Sequence, residues 1–162
     1  MNYKVMTLIG IIVIVSILSG CVNSHEEAIT KPIYYDEKAF YLMNDSLHVI
    51  HDDINKFNTS PSLLERHSKN YYDEMNKLIV SPVMQPAVDE FKQSMAEYYN
   101  IATSYETSSR TCQIPKYKEL VEIYNQCVKD QSELNNRTTQ EIYSAINMQI
   151  NSINLLPEKK NT

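Results

Sequence analysis

Glycine is almost absent from this chain, and its absence restricts the possible folds more than any other feature. Only Gly10 and Gly20 occur among 162 residues, so residues 21–162 contain none. Tight hairpin turns depend on glycine because it adopts positive φ without steric cost. The phosphate-binding loops of nucleotide enzymes need glycine as well. The sequence therefore favours an all-α fold and argues against dinucleotide-binding and P-loop chemistry.

Apolar residues recur every three or four positions in two early segments, as expected for helices with one buried face. The first helix is predicted to begin at Asp36 as its N-cap and to end near residue 57. The second runs from 61 to 80, with Ser60 as cap and Pro61 in the first helical position. The predicted buried faces are Phe40, Met43, Leu47, Ile50, Ile54 and Phe57, then Leu64, Tyr71, Met75 and Leu78.

The third predicted helix, residues 83–105, carries the most regular repeat in the chain. Its apolar positions alternate at spacings of four and three, the pattern of a coiled-coil seam. They are Met84, Val88, Phe91, Met95, Tyr98, Ala102 and Tyr105. Pro86 lacks an amide, so this helix either kinks in its first turn or starts at Pro86. Because such a seam can pair with a second chain, self-association through helix 83–105 is one expected form of partner binding.

Two interpretations remain open for residues 115–156, a region opened by Pro115. The apolar phase slips by one residue after Asn136, where Thr138 and Glu141 resemble a capping box that would start a fifth helix. We favour a single helix of about 40 residues, about 60 Å long, because neither glycine nor proline occurs between 116 and 156. Its predicted stripe is Leu120, Tyr124, Cys127, Gln131, Leu134, Ile142, Ile146, Ile150 and Ile153.

These segments predict an all-α, up-down helical bundle of four helices, or five if the last region breaks. The bundle spans residues 35–157. Residues 158–162 follow as a disordered tail, and residues 21–34 precede it as a polar tether without periodicity.

The first 21 residues have the layout of an export signal. A short positive start with Lys4 precedes an uncharged apolar run from Val5 to Leu18. As a helix this run would be about 21 Å long, too short for a hydrocarbon core of about 30 Å. Leu18-Ser19-Gly20-Cys21 closes the run with small residues before a cysteine. This segment resembles the lipobox of prokaryotic membrane lipoproteins.

The resemblance implies that residues 1–20 are a signal peptide, cut before Cys21. The Cys21 thiol would carry diacylglycerol through a thioether, with acyl chains such as palmitate. Two acyl chains give stable anchoring, so residues 21–34 would tether the bundle to the extracytoplasmic face of the cell membrane. Two other interpretations stay open: Cys21 is a chance cysteine after an ordinary signal peptide, or the apolar run remains as an uncleaved membrane helix.

Charge and cysteine content agree with an exported protein. Without Lys4, 14 basic residues face 20 acidic ones, for a net charge of about −6. A negative surface argues against nucleic acid or an anionic membrane face as the main partner. With Cys21 lipidated, Cys112 and Cys127 remain as an even pair, which predicts a disulfide; two buried free thiols are the alternative. Residues 112–114 must then fold back beside the last helix to bring the Cα atoms within about 6 Å.

Few residues suggest chemistry. His48, His51, Asp52 and Asp53 form the best metal-site candidate, because His48 and Asp52 lie four residues apart on one helix and could bind zinc or another transition metal. A second helix would have to supply further ligands. No nucleophile motif such as Gly-x-Ser-x-Gly occurs, so we predict no enzymatic activity and no cofactor beyond the lipid on Cys21.

Two functional hypotheses follow. The first is a lipid-anchored extracytoplasmic helical lipoprotein that acts as a non-enzymatic binding or scaffold module for an unidentified protein partner. The alternative is a lipoprotein that binds a metal or a small ligand through His48, His51 and Asp52.

Overall fold

The structure is a computed structural model that describes residues 33–114 and 120–157. Within these residues the chain forms four α-helices and no β-strand. They are α1 (Asp36–Asn55), α2 (Pro61–Asn76), α3 (Gln85–Ser108) and α4 (Val121–Asn154). Helix α1 packs on α2, α2 on α3, and α3 on α4. The arrangement is an up-down bundle, which confirms the predicted all-α class.

Several predicted features lie outside the described residues. They are the signal peptide over residues 1–20, Cys21 with the tether up to residue 32, the helix start near Pro115, and the tail at 158–162. The bundle itself has its own hydrophobic core, drawn from all four helices.

Helix α3 supplies the centre of that core. All seven positions of its predicted seam are buried, which confirms the prediction. The helix begins at Gln85, so Pro86 lies in the first turn, where its missing amide interrupts no helical hydrogen bond. Because the seam packs inside the chain's own core, helix 83–105 would reach a second copy only through its other faces.

The predicted buried faces of α1 and α4 are partly wrong. Phe40 is 44 % exposed and Ile150 is 46 % exposed, although both were expected in the core. Met43, Ile50 and Ile142 are buried as predicted. The other buried positions on these two helices were not predicted: Ala39, Ser46, Asp53, Thr138, Ala145, Gln149 and Ser152. The observed faces run through small and polar residues, which an apolar periodicity does not count.

Helix α4 is uninterrupted across Asn135 and Asn136, as the single-helix interpretation predicted. Thr138 and Glu141 therefore lie inside the helix and start no fifth one. On α2, Leu64 and Met75 are buried as predicted, and Tyr71 packs partly buried against the core. The helix ends at Asn76 rather than at the predicted residue 80, so Leu78, which also packs against the core, lies in the connection that follows.

Each helix buries one serine: Ser46, Ser68, Ser94 and Ser152. Every one of these hydroxyls donates to a carbonyl oxygen of its own helix, three or four residues earlier, at 2.6–2.8 Å. A short side chain whose hydrogen bond is made locally allows neighbouring backbones to approach closely. Among the described residues, no buried side-chain nitrogen or oxygen lacks a partner.

A buried polar chain links three helices at mid-bundle. The Tyr98 hydroxyl donates to Gln149 Oε1 at 3.1 Å, and the Gln149 amide donates to Ser46 Oγ at 3.0 Å. Burial raises the pKa of Tyr98 above its ordinary value of 10.0, so the phenol remains a neutral donor at neutral pH. This chain joins α3 to α4 and α4 to α1, and it thereby closes the bundle.

The described connections use no left-handed backbone, since no described residue has positive φ. Helix α1 ends in tight turns in which the Lys56 and Phe57 amides donate to carbonyl oxygens three residues earlier, at 3.1 Å each. Ser60 then occupies the N-cap position and Pro61 the first position of α2, as predicted.

We expect Tyr98→Phe to lower the free energy of unfolding by about 1–3 kcal/mol, because it leaves the buried Gln149 oxygen without its donor. Urea denaturation measures this change. Tyr143→Phe removes the same atom from an exposed side chain and should change stability by less than about 0.5 kcal/mol. Equal effects of the two substitutions would contradict a stabilising role for the polar chain.

Candidate functional site

One end of the bundle, which we call the base, contains the start of α1 and the end of α2. The Tyr35 amide donates to the Ile79 carbonyl at 2.8 Å. The Asp36 carboxylate accepts the amide and the hydroxyl of Ser81 at 2.8 and 2.6 Å. Asp36 is the first residue of α1, and its carboxylate bonds to Ser81 in the connection between α2 and α3. The predicted N-cap position belongs to Tyr35.

The base also contains the start of α3 and the end of α4. Met84, just before α3, shares a groove of about 470 Å³ with Leu156, Asp36 and Tyr41. Apolar side chains line most of this groove, and the carboxylates of Asp36 and Glu37 lie at its wall. The described part of the chain thus begins and ends at the same end of the bundle.

Large apolar side chains are exposed at the base. Six of them, 45–72 % exposed, lie within two residues of the contacts just described. We call them the base surface: Ile33, Tyr34, Tyr35, Ile79, Val83 and Leu155. Single exposed apolar residues are ordinary, but a group of them at one end of a small bundle is typical of an interaction surface.

The opposite end, which we call the tip, is built differently. The Phe57 and Tyr105 rings meet there with centroids 4.8 Å apart. Helix α4 has 34 residues and α3 has 24, so they are about 51 and 36 Å long. The first turns of α4 therefore extend beyond the end of α3.

A disulfide ties the loop after α3 to this extension of α4. Cys112 and Cys127 are bonded, with Cα atoms 5.8 Å apart, which confirms the predicted pair. Arg110 adds two contacts: its amide donates to Gln131 Oε1 and its guanidinium to the Asp130 carboxylate, both at 2.9 Å. The loop thus folds back along the helix, as the spacing of the two cysteines required.

The tip also exposes apolar side chains, 41–82 % exposed. We call these the tip surface: Ile114, Leu120, Val121, Ile123 and Val128. Leu120 belongs to the predicted stripe of the last helix, yet it is exposed because α3 ends before it can cover this part of α4.

The predicted metal residues are not brought together with further ligands. His48, His51 and Asp52 are all exposed on α1. The Nε2 atom of His51 lies 3.1 Å from the amide nitrogen of Asn55. In the described ranges, no three His, Cys, Asp or Glu side chains lie close enough to hold a metal ion. The neighbouring helix α2 brings no further ligands to these residues, so its arrangement does not support the predicted metal site.

Two pairs between α1 and α2 escaped the sequence analysis. Asp53 is 4 % exposed, and its carboxylate lies 2.7 Å from Nδ1 of His67. The Tyr71 hydroxyl donates to the Asp45 carboxylate at 2.6 Å. Partial burial, together with this hydrogen bond, raises the pKa of Tyr71 above its ordinary value. The spacing of Asp53 from Ile50 and Phe57, three and four residues, is the signal that would have placed it on the buried face.

A cleft of about 270 Å³ lies between α1, α3 and α4 near the tip. Phe57, Tyr105, Asn135, Thr138 and Ile142 line it, and the Tyr105 hydroxyl donates to Asn135 Oδ1 at 3.2 Å. The described residues around it supply amides, hydroxyls and rings, but no carboxylate, histidine, lysine or thiol. Such a lining can bind polar ligands, and the ionisable side chains among its described residues are the phenols of Tyr105 and Tyr143.

Comparison with known proteins assigns no family to the chain. It matches no protein-family model, no curated protein and no solved structure. Among the helices in the described residues, none is both long and apolar enough to cross a membrane.

We expect His67→Ala to destabilise the bundle by about 1–3 kcal/mol, because it leaves the buried Asp53 carboxylate without its partner. Urea unfolding at pH 7 provides the measurement. His48→Ala, on the exposed side of α1, should alter stability by less than about 0.5 kcal/mol. The pairing would be refuted if both alanine variants unfolded at the same urea concentration as the parent protein.

Loss of the disulfide should also weaken the fold. The Cys112–Cys127 bond spans 15 residues, and closing a loop of that length stabilises by about 3 kcal/mol through the unfolded state. We expect the Cys112→Ser/Cys127→Ser protein to unfold at lower urea concentration by about that free energy. Dithiothreitol should lower the urea midpoint of the parent protein to that of the double variant and leave the double variant itself unchanged. The expectation would be contradicted if neither the double substitution nor dithiothreitol lowered the urea midpoint.

Proposed function

We propose that this protein is a lipid-anchored extracytoplasmic lipoprotein whose helical bundle acts as a non-enzymatic binding or scaffold module at the cell surface. One observation carries the proposal: Leu18-Ser19-Gly20-Cys21 closes an apolar run of signal-peptide length that follows a positive start. Diacylglycerol on Cys21 would then hold the bundle to the outer face of the cell membrane.

The disulfide supports an extracytoplasmic location. Disulfides persist in oxidising compartments and are rare in the cytosol, where thiols are kept reduced. With Cys21 committed to lipid, Cys112 and Cys127 are the remaining cysteines, and they are bonded to each other. An exported chain would thus carry no free thiol.

The arrangement of the bundle supports a binding role. The tip surface exposes apolar side chains on a segment fixed by a disulfide. Rigid, exposed apolar groups favour partner binding because little conformational entropy is lost on association. The tip lies at the end of the bundle opposite the one at which residue 33 follows the tether.

Mass spectrometry of the protein purified from membranes of its host, or of an expressing prokaryote, tests the proposal. We expect a mature chain that begins at Cys21 and whose N-terminal peptide carries the mass of diacylglycerol. Cys21→Ser should abolish the lipid and release the protein from the membrane fraction or leave the precursor uncut.

Cys112→Ser/Cys127→Ser is the matched control, since it removes two other cysteines and should leave lipid and fractionation unchanged. An intact Met1 start, or an unmodified sulfur on Cys21 in the membrane-derived protein, would refute the proposal.

A further inference from the structure

We infer that the base surface rests on the lipid bilayer, so that the bundle stands upright with its tip directed away from the membrane. The inference deepens the proposed function and rests on the lipid anchor at Cys21. The occupant of the surface is the headgroup and upper acyl region of the same membrane that holds the anchor.

The first argument is the length of chain between anchor and bundle. Residues 22–32 join Cys21 to Ile33, and eleven residues span at most about 40 Å when fully extended. Ile33 belongs to the base, at the opposite end of the bundle from the tip. The length of the tether therefore keeps the base within about 40 Å of the anchor, whereas the tip can lie farther away by the length of the bundle.

The second argument is the chemistry of the base surface. Tyr34 and Tyr35 present rings with a polar hydroxyl, a combination that is enriched at membrane–water interfaces. Ile33, Ile79 and Val83 add purely apolar surface beside them, with Val83 66 % exposed. A surface composed of tyrosines and aliphatic side chains therefore suits a lipid interface.

The third argument concerns affinity. A short tether raises the local concentration of a second contact to about the millimolar range, so even a weak apolar surface is occupied once the anchor is inserted. A second copy of the chain would have no such advantage unless it were anchored in the same orientation beside the first. The bilayer is therefore the favoured occupant.

The absence of tryptophan from the chain makes a direct test possible. Val83→Trp places a single fluorophore in the base surface, and Ile123→Trp places one in the tip surface. The two positions are matched, since the original side chains are 66 % and 67 % exposed. Along α4, Ile123 lies 32 residues from Leu155, a distance of about 48 Å. Each lipidated protein is reconstituted into phosphatidylcholine vesicles with or without bromine on the acyl chains.

We expect Val83→Trp fluorescence to shift to shorter wavelength in vesicles and to be quenched by the brominated lipid. Ile123→Trp should show neither effect. A second base probe, Tyr35→Trp, should behave as Val83→Trp does, which guards against local misfolding at one site. In the Tyr35→Trp protein, Ile33→Ser/Ile79→Ser should reduce the quenching, whereas Leu120→Ser/Val121→Ser should leave it unchanged.

The experiment distinguishes failure of the lipid anchor from failure of the docking on the bilayer. Proteins that float with the vesicles while both base probes remain unquenched would overturn the docking but retain the lipid anchor. Equal quenching at base and tip would overturn the upright orientation. A shift of the base probes that depends on protein concentration and occurs without vesicles would assign the surface to a second copy. Protein that fails to float would refute the anchor and the docking together.

Discussion

The buried hydrogen-bonded chain of Tyr98, Gln149 and Ser46 is the interaction on which the rest of the bundle depends. A purely apolar seam permits helices to slide by a turn, because one apolar contact resembles the next. Donors and acceptors that must meet at 3.0–3.1 Å in the core permit one register only, since every other register leaves a buried polar atom unpaired. The register of α1, α3 and α4 in turn decides which side chains the two ends expose.

The base and the tip differ in structure because the four helices differ in length. Helices α1 and α2 have 20 and 16 residues, and α4 has 34, so α4 extends past its neighbours at the tip and requires the Cys112–Cys127 bond to hold the loop beside it. At the base all four helices end close together, and the connection from Tyr35 to Ile79 brings exposed aromatic and aliphatic side chains into one surface. Under the proposed function and the inferred docking on the bilayer, the base contacts lipid and the tip is available to a protein.

How well the sequence predicts the buried face of each helix depends on which side chains form that face. All seven predicted seam positions at the start of helix α3 and along it are buried, because apolar side chains recur there from Met84 to Tyr105. Three further positions of α3 are buried without having been predicted: Ala87, Ser94 and Ile101. Helix α1 ends at Asn55, two residues before its predicted end, and the predicted start of the last helix at Pro115 lies outside the described residues. On α1 and α4 part of the predicted face was wrong, because Ala39, Ser46 and Gln149 occupy core positions that apolar periodicity overlooks. The burial of Asp53 was not predicted either, since a carboxylate is buried only when a residue distant in sequence, here His67, provides its partner.

By itself the sequence determined the fold class, which is all-α. The lack of glycine after position 20 and the absence of proline between 116 and 156 favoured long helices, and local propensity was sufficient to place their ends within a few residues. Only the tertiary structure decided which polar residues face inward, how Cys112 reaches Cys127, and that residues as distant as Ile33, Ile79 and Leu155 share one end. These features depend on contacts between helices, and the free energy of such contacts is set by packing geometry that no single segment encodes.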